Sequence, residues 1–225
     1  MNEIIDMPTE EWSACFLIAN GFSQTLMPIT DFQHVIFDMD GTLTRSGLDF
    51  DLMRREIGIE DGQPVWEAVQ QLPPPARERA EAVVCRHEAR DAAACELQPY
   101  AADVVRRLRA AGKVVSLMTR NSRVSVDVFI ERHEIAFDLT RARCDGVVKP
   151  APDPVLDLCA AASVAPAATI AIGDYKYDLE CANRAGAVSV LYYEHESPVP
   201  AWAEAAAHVV RDLRDFAALC GVSMR

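Results

Sequence analysis

His34-Val35-Ile36-Phe37-Asp38-Met39-Asp40-Gly41-Thr42-Leu43-Thr44 is the stretch on which the fold turns. Its apolar opening, rich in β-branched residues, predicts a buried strand that ends abruptly on two carboxylates, followed by Gly and two Thr. In extended backbone Asp38 and Asp40 point the same way, so their charges repel unless a cation or a shared proton lies between them. That arrangement suits a metal site. Taken alone, Asp-x-Asp-Gly also fits an acidic turn after a strand, and the rest of the chain must decide between the two.

Three further apolar runs end similarly. Val114–Met118 runs into Thr119, Thr169–Ile172 into Gly173-Asp174, and Ala187–Leu191 into Tyr192-Tyr193. Helical patterns lie between them. Tyr100–Gly112 carries Val104, Val105 and Leu108 on one stripe, with Pro99 before it and Gly112 as its stop. Ser122–His133 follows an Asn121-Ser122 cap and sets Val124, Val128 and Phe129 along one face. Pro152–Ala162 and Tyr175–Ala185 are two more, the second stopped by Gly186. Strands alternating with helices imply an α/β fold with a parallel sheet, and right-handed crossovers bring the carboxyl ends of its strands to one edge. Asp38, Thr119 and Asp174 are therefore expected to meet there, at the edge where open α/β sheets hold their sites.

The segment from about Ser46 to Leu97 interrupts the alternation. It is rich in Arg, Glu and Ala, reads as helical around Glu67-Ala68-Val69 and again from Pro75 to about Cys95, and is broken by Pro73-Pro74-Pro75. A helical insertion placed directly after the acidic loop predicts a lid over the site, against the plainer alternative of a long surface insertion. The expected organisation is an amino-terminal extension over 1–30, a core over 31–45 and 98–225, and a small helical cap over 46–97.

With 225 residues, half of them hydrophobic, the chain can bury a full core. Its formal net charge of −12, with no offsetting Lys/Arg cluster, argues against nucleic-acid and anionic-membrane partners. Positive charge for an anionic substrate must then be local. The seven cysteines (Cys15, Cys85, Cys95, Cys144, Cys159, Cys181 and Cys220) are odd in number, scattered and without a Cys-x-x-Cys pair. They read as buried thiols of a reducing, cytoplasmic compartment. Near the amino terminus, the apolar run Trp12–Phe22 is too short for a bilayer and follows acids where a signal peptide would carry positive charge. It is expected to be a helix packed on the body, or to lie upstream of a true start at Met27. Oligomeric state is not legible.

Four motifs in order carry a family resemblance: Asp38-Met-Asp-Gly-Thr, Thr119 at a strand end, Lys149-Pro150 before a helical segment, and Gly173-Asp174-Tyr-Lys-Tyr-Asp178. From about Asp31 to Leu219 the chain resembles the haloacid dehalogenase-like hydrolase superfamily. Lys-Pro-x-Pro-Asp at 149–153, with a lid between the first two motifs, is most similar to its phosphoglycolate-phosphatase-like branch. The resemblance implies a Rossmann-like, doubly wound parallel sheet with a small helical cap after the first strand.

It also implies a Mg²⁺-dependent phosphatase acting on a small phosphorylated metabolite through an aspartyl-phosphate. A carboxylate can approach a phosphate dianion only if charge is neutralised, and an all-oxygen site suits Mg²⁺. Asp38 is the expected nucleophile and Asp40 the expected acid and base, its main-chain carbonyl ligating metal by similarity. Asp174 completes the expected ligand set, and Asp178 would hold a metal-bound water or orient Lys149. Lys149, Thr119 and Asn121, with backbone N–H groups near Gly41 and at the Asn121-Ser122 helix start, are the expected phosphate contacts. Arg45 and Arg120 border the same edge, and His87 is expected at a solvated position of the insertion.

A dehalogenase is disfavoured, because such relatives lack the second acid that Asp40 supplies. A phosphonate-cleaving enzyme would want a lysine in the insertion, and residues 46–97 contain none. A phosphomutase on the same scaffold and a non-catalytic phosphate-binding or regulatory protein stay open. The cap, of about fifty residues, is small for its kind, so modest selectivity among small phosphate monoesters is expected, phosphoglycolate among them by resemblance.

Overall fold

The computed structural model describes residues 32–45, 47–195 and 198–224. The expected amino-terminal helix lies outside them. Strand β1 (His34–Phe37) is wholly buried, and its alternate residues serve opposite faces of the sheet. Val35 and Phe37 enter the larger apolar cluster, while Ile36 enters the smaller one on the other side.

After β1 the chain forms a two-stranded antiparallel ribbon, β2 (Thr44–Arg45) with β3 (Glu96–Leu97), and between its strands runs the cap. The cap consists of α1 (Phe50–Ile57), α2 (Val65–Gln70) and α3 (Pro74–Ala94). Asp49 caps α1 by accepting from the Leu52 N–H at 2.8 Å, and the proline run starts α3, where a missing N–H costs nothing. Met53, Val65, Val69, Ala80 and Val84 give these helices an apolar cluster of their own.

The core then alternates through α4 (Ala101–Ala110), β4 (Val114–Met118), α5 (Arg123–His133), β5 (Leu139–Arg141), α6 (Asp153–Ala162), β6 (Thr169–Gly173), α7 (Lys176–Ala185), β7 (Val188–Tyr192), β8 (His208–Val210) and α8 (Leu213–Leu219). The six long-sheet strands are all parallel, in the order β5-β4-β1-β6-β7-β8. Helices α4 and α8 cover one face, with Phe37 and Phe216 packed edge to face at 5.3 Å, and α6 and α7 cover the other.

Strand order reverses at β1, whose neighbours β4 and β6 follow it on opposite sides. Phe37 lies level with Leu117 on β4 and Ile172 on β6. The polar residues after these three strands therefore emerge along one edge, at the switch point of the sheet.

Three expectations need correction. On α5, Val124 is 59% exposed, and the buried face is Ser125, Val126 and Phe129, because the helix is wedged between the sheet and α3. Cys144 is exposed and Cys85 half-buried, so not every thiol is interior. His87 is not solvated. Its side chain is 10% exposed and its Nε2 lies 3.2 Å from Glu56 Oε2, a contact between α3 and α1. No helix among the described residues is long and apolar enough to cross a membrane.

Candidate active site

The end of β1 delivers Asp38 into the interior, with its N–H held by the Ile172 carbonyl at 2.9 Å. The chain then turns sharply through Gly41, whose φ of +77° suits glycine, and a Cβ there would meet Asp174 Oδ2 at 2.2 Å. A Cβ on Gly173 would likewise meet Asp178 Cγ at 2.1 Å. The two loops close on each other through glycines that let carboxylates take the space of side chains.

Lys149, reaching in from the loop before α6, is buried and donates from Nζ to Asp38 Oδ1 and to Asp178 Oδ1, each at 2.5 Å. It donates also to the Met118 carbonyl at 3.3 Å. The second oxygen of Asp178 accepts the Tyr175 N–H at 3.1 Å, which fixes the carboxylate against the start of α7. Thr42 Oγ1 lies 3.4 Å from Asp38 Oδ2. Thr119 is buried at the end of β4, and its hydroxyl accepts the Asn121 N–H at 3.1 Å. Asn121 turns its amide to Asp40, with Nδ2 donating to Oδ2 at 2.8 Å. The two acids after β1 therefore have different partners, Asp38 a cation and Asp40 a neutral amide.

Burial shifts both toward the protonated form. Burial and the Asp178 charge push Asp38 up to about 6, with Lys149 pulling against them. Burial raises Asp40 well above its ordinary value, reinforced by Asp38, Asp91 and Glu88. Asp174 is pushed up to about 8 by burial and by Asp38 and Asp178. Burial opposes the charge on Lys149, but Asp178 and Asp38 outweigh it and raise the ammonium above its ordinary value.

One lysine among four carboxylates leaves the edge short of positive charge. Oxygens of Asp38, Asp174 and Asp178 lie within 4.8 Å of one another, an all-carboxylate donor set that fits a hard divalent cation. Asp40 does not contribute a carboxylate to this group. Its expected contribution is the main-chain carbonyl.

A cavity of about 550 Å³ opens from these residues, with Asp38, Asp40, Gly41, Thr119, Asn121, Lys149, Asp174 and Asp178 all on its wall. The cap supplies the opposite wall through Phe50, Met53, Trp66, Glu67 and Glu88. Arg120 also lines it, with Nη2 2.5 Å from Glu67 Oε1 and its guanidinium 5.0 Å from the Tyr177 ring centre. Arg45 instead bonds Gln98 Oε1 at 3.3 Å, and neither it nor His87 lines the cavity.

Sequence reading missed the pair that joins cap to core. Glu88 on α3 and Arg143 after β5 are both buried and meet through two contacts, Nη1 to Oε1 and Nη2 to Oε2, the second at 3.1 Å. Glu88 Oε2 also accepts the Ser122 N–H at 3.0 Å, and Arg143 lies 4.0 Å from the Trp66 ring centre. The available signal was a lone Glu three residues from Cys85 and four from Val84 and Ala92, that is, on the apolar side of α3.

The charged residues at the switch point line a cavity whose opposite wall is the inserted cap. Residues 51–192 match the haloacid dehalogenase-like hydrolase family, and the chain belongs to that family of hydrolases. An uncharacterized hydrolase of Saccharomyces cerevisiae is 31% identical over 183 residues, 76% of this chain and 82% of its own. Among solved structures, a predicted phosphoglycolate phosphatase of Haemophilus somnus shares the fold with a TM-score of 0.64 at 18% identity, over 83% of this chain and 97% of its own. A family hydrolase of Deinococcus radiodurans with bound phosphate and sodium does so with a TM-score of 0.61 at 22% identity, over 85% and 97%.

Proposed function

We propose that this hydrolase is a Mg²⁺-dependent phosphatase that cleaves the phosphate monoester of a small metabolite through an aspartyl-phosphate on Asp38. The observation that carries the reading is the difference in partners of the two acids after β1. Asp38 is paired with the Lys149 ammonium, while Asp40 faces the neutral Asn121 amide and is shifted toward its protonated form by burial and by the Asp38 charge. Two carboxyl groups whose surroundings separate them in this way suit a nucleophile and a general acid.

Asp38 attacks phosphorus as the ester P–O bond breaks, and Asp40 gives its proton to the departing alkoxide. Asp40, now a carboxylate, takes a proton from water as that water attacks phosphorus. The bond from phosphorus to Asp38 then breaks, releasing inorganic phosphate and restoring both acids. Asn121 holds Asp40 by Oδ2, which leaves Oδ1 as the oxygen that carries the proton. Lys149 and the Thr119 hydroxyl serve the phosphoryl oxygens, and Lys149 offsets the charge that builds on them. Mg²⁺, held by Asp38, Asp174, the Asp40 carbonyl and Asp178 directly or through water, would polarise the phosphoryl group and neutralise its charge.

The bound phosphate of the Deinococcus radiodurans relative supports a phosphate-binding pocket on this fold. The test is phosphate release over a panel of sugar phosphates, phosphoglycolate, nucleotides and amino-acid phosphates with Mg²⁺. Release abolished by EDTA and by Asp38→Asn supports the reading, and silence from folded protein with every substrate contradicts it.

A further inference from the structure

Four cations line the cavity, and each already has a carboxylate. Lys149 is held by Asp38 and Asp178, Arg143 by Glu88, Arg120 by Glu67, and Arg54 by Asp51 with a second bond to the Gln63 carbonyl at 2.9 Å. Residues 1–31, outside the described part, contain no Lys or Arg that would change this balance. Among the described residues on the wall, no cation is left without a carboxylate to meet a second anionic group; Lys176, with Nζ 5.7 Å from the Tyr175 ring centre, lies off the wall.

The same wall is apolar and aromatic. Phe50, at the start of α1, and Tyr175, after β6, line the cavity from cap and core and remain 50% and 45% exposed. Tyr175 is held rigidly, edge to face with Tyr177 at 5.1 Å and with Trp202 at 5.7 Å. Guanidinium groups hold the Trp66 and Tyr177 rings in place. Large rings that line a cavity and stay half exposed are surface that a ligand covers.

We infer that the substrate is a phosphate monoester whose leaving group carries no second charge and presents a flat apolar face to Phe50 and Tyr175. The inference rests on the phosphatase reading for its chemistry, but not for its binding preference. It sets phosphoglycolate and bisphosphates apart as poor ligands, since their second anion would have to break the Arg120–Glu67 pair.

Two comparisons on the Mg²⁺-loaded full chain test it. Benzyl phosphate and 4-carboxybenzyl phosphate have similar leaving groups and differ by one carboxylate. The neutral one should show kcat/KM about tenfold higher, and Glu67→Gln, which frees Arg120, should narrow that ratio. Calorimetry with the inert analogues benzylphosphonate and phosphonoacetate should show the aromatic one binding roughly tenfold tighter, and Phe50→Ala should erase the difference. Equal or better turnover of the carboxylated ester, tighter binding of phosphonoacetate, or an unchanged ratio in Glu67→Gln would each overturn the inference. If nothing is turned over, the phosphatase reading fails, and the binding comparison still decides this one.

Discussion

Lys149 Nζ lies 2.5 Å from Asp38 Oδ1, an ion pair closed off from solvent and shared with Asp178 at the same distance. Removing the ammonium leaves two buried carboxylates with no counter-charge. Lys149→Met should lower kcat by about 10²–10³-fold, the scale for losing one preorganised charge donor. The folded variant would also bind protons more tightly than the unfolded chain, so its stability should fall as pH rises. Urea unfolding at pH 5 and pH 8 checks this, with the larger loss expected at pH 8.

Asn121 separates two roles. An amide that positions Asp40 changes the rate, whereas one that holds the phosphate changes affinity. The 2.8 Å bond from Nδ2 to Asp40 Oδ2 favours the first. Asn121→Ala should lower kcat by roughly tenfold or more with KM little changed, and a rise in KM alone would return Asn121 to phosphate binding.

Glu88 and Arg143 tie α3 of the cap to the core beside Asn121 and Ser122. Breaking a buried pair by removing one partner costs about 3–5 kcal/mol, because the other charge is left stranded. Glu88→Ala should lose that much in denaturant unfolding, and Glu88→Leu combined with Arg143→Met should recover most of it.

His34 gives the fold a pH dependence far from the site. Its Nε2 lies 2.7 Å from Ser116 Oγ, its Nδ1 has no partner among the described residues, and burial lowers it from 6.5 to about 4. The unfolded chain therefore takes up this proton first as pH falls. Stability should decline from about pH 6.5 down to about pH 4, by up to about 3 kcal/mol from this residue. Unfolding of the native chain and of His34→Gln across that window checks it, the variant showing the shallower slope.

The sheet edge was legible because burial and period 2 work together. A β-branched run that stops on Asp38, Thr119 or Asp174 has little choice but to present that residue at its exit, so residues far apart in sequence meet. The edge strands β5 and β8 were not legible, being three residues long and, in β5, composed of Leu139, Thr140 and Arg141 with no apolar run to mark them. Helix α1 escaped for a similar reason, with Met53 its one buried residue in a charged octet. The Glu88–Arg143 pair and the Arg120–Glu67 contact join residues 55 and 53 positions apart; the place of Glu88 on the apolar side of α3 hints at burial, but nothing local in the chain names either partner.

Attack of Asp38 on phosphorus is measured by phosphate release from 4-nitrophenyl phosphate by the wild-type chain and by Asp38→Asn, each with Mg²⁺ and with EDTA. Release is expected from the wild-type chain with Mg²⁺ alone, and none from folded Asp38→Asn under either condition. Equal release by Asp38→Asn and wild type would contradict it.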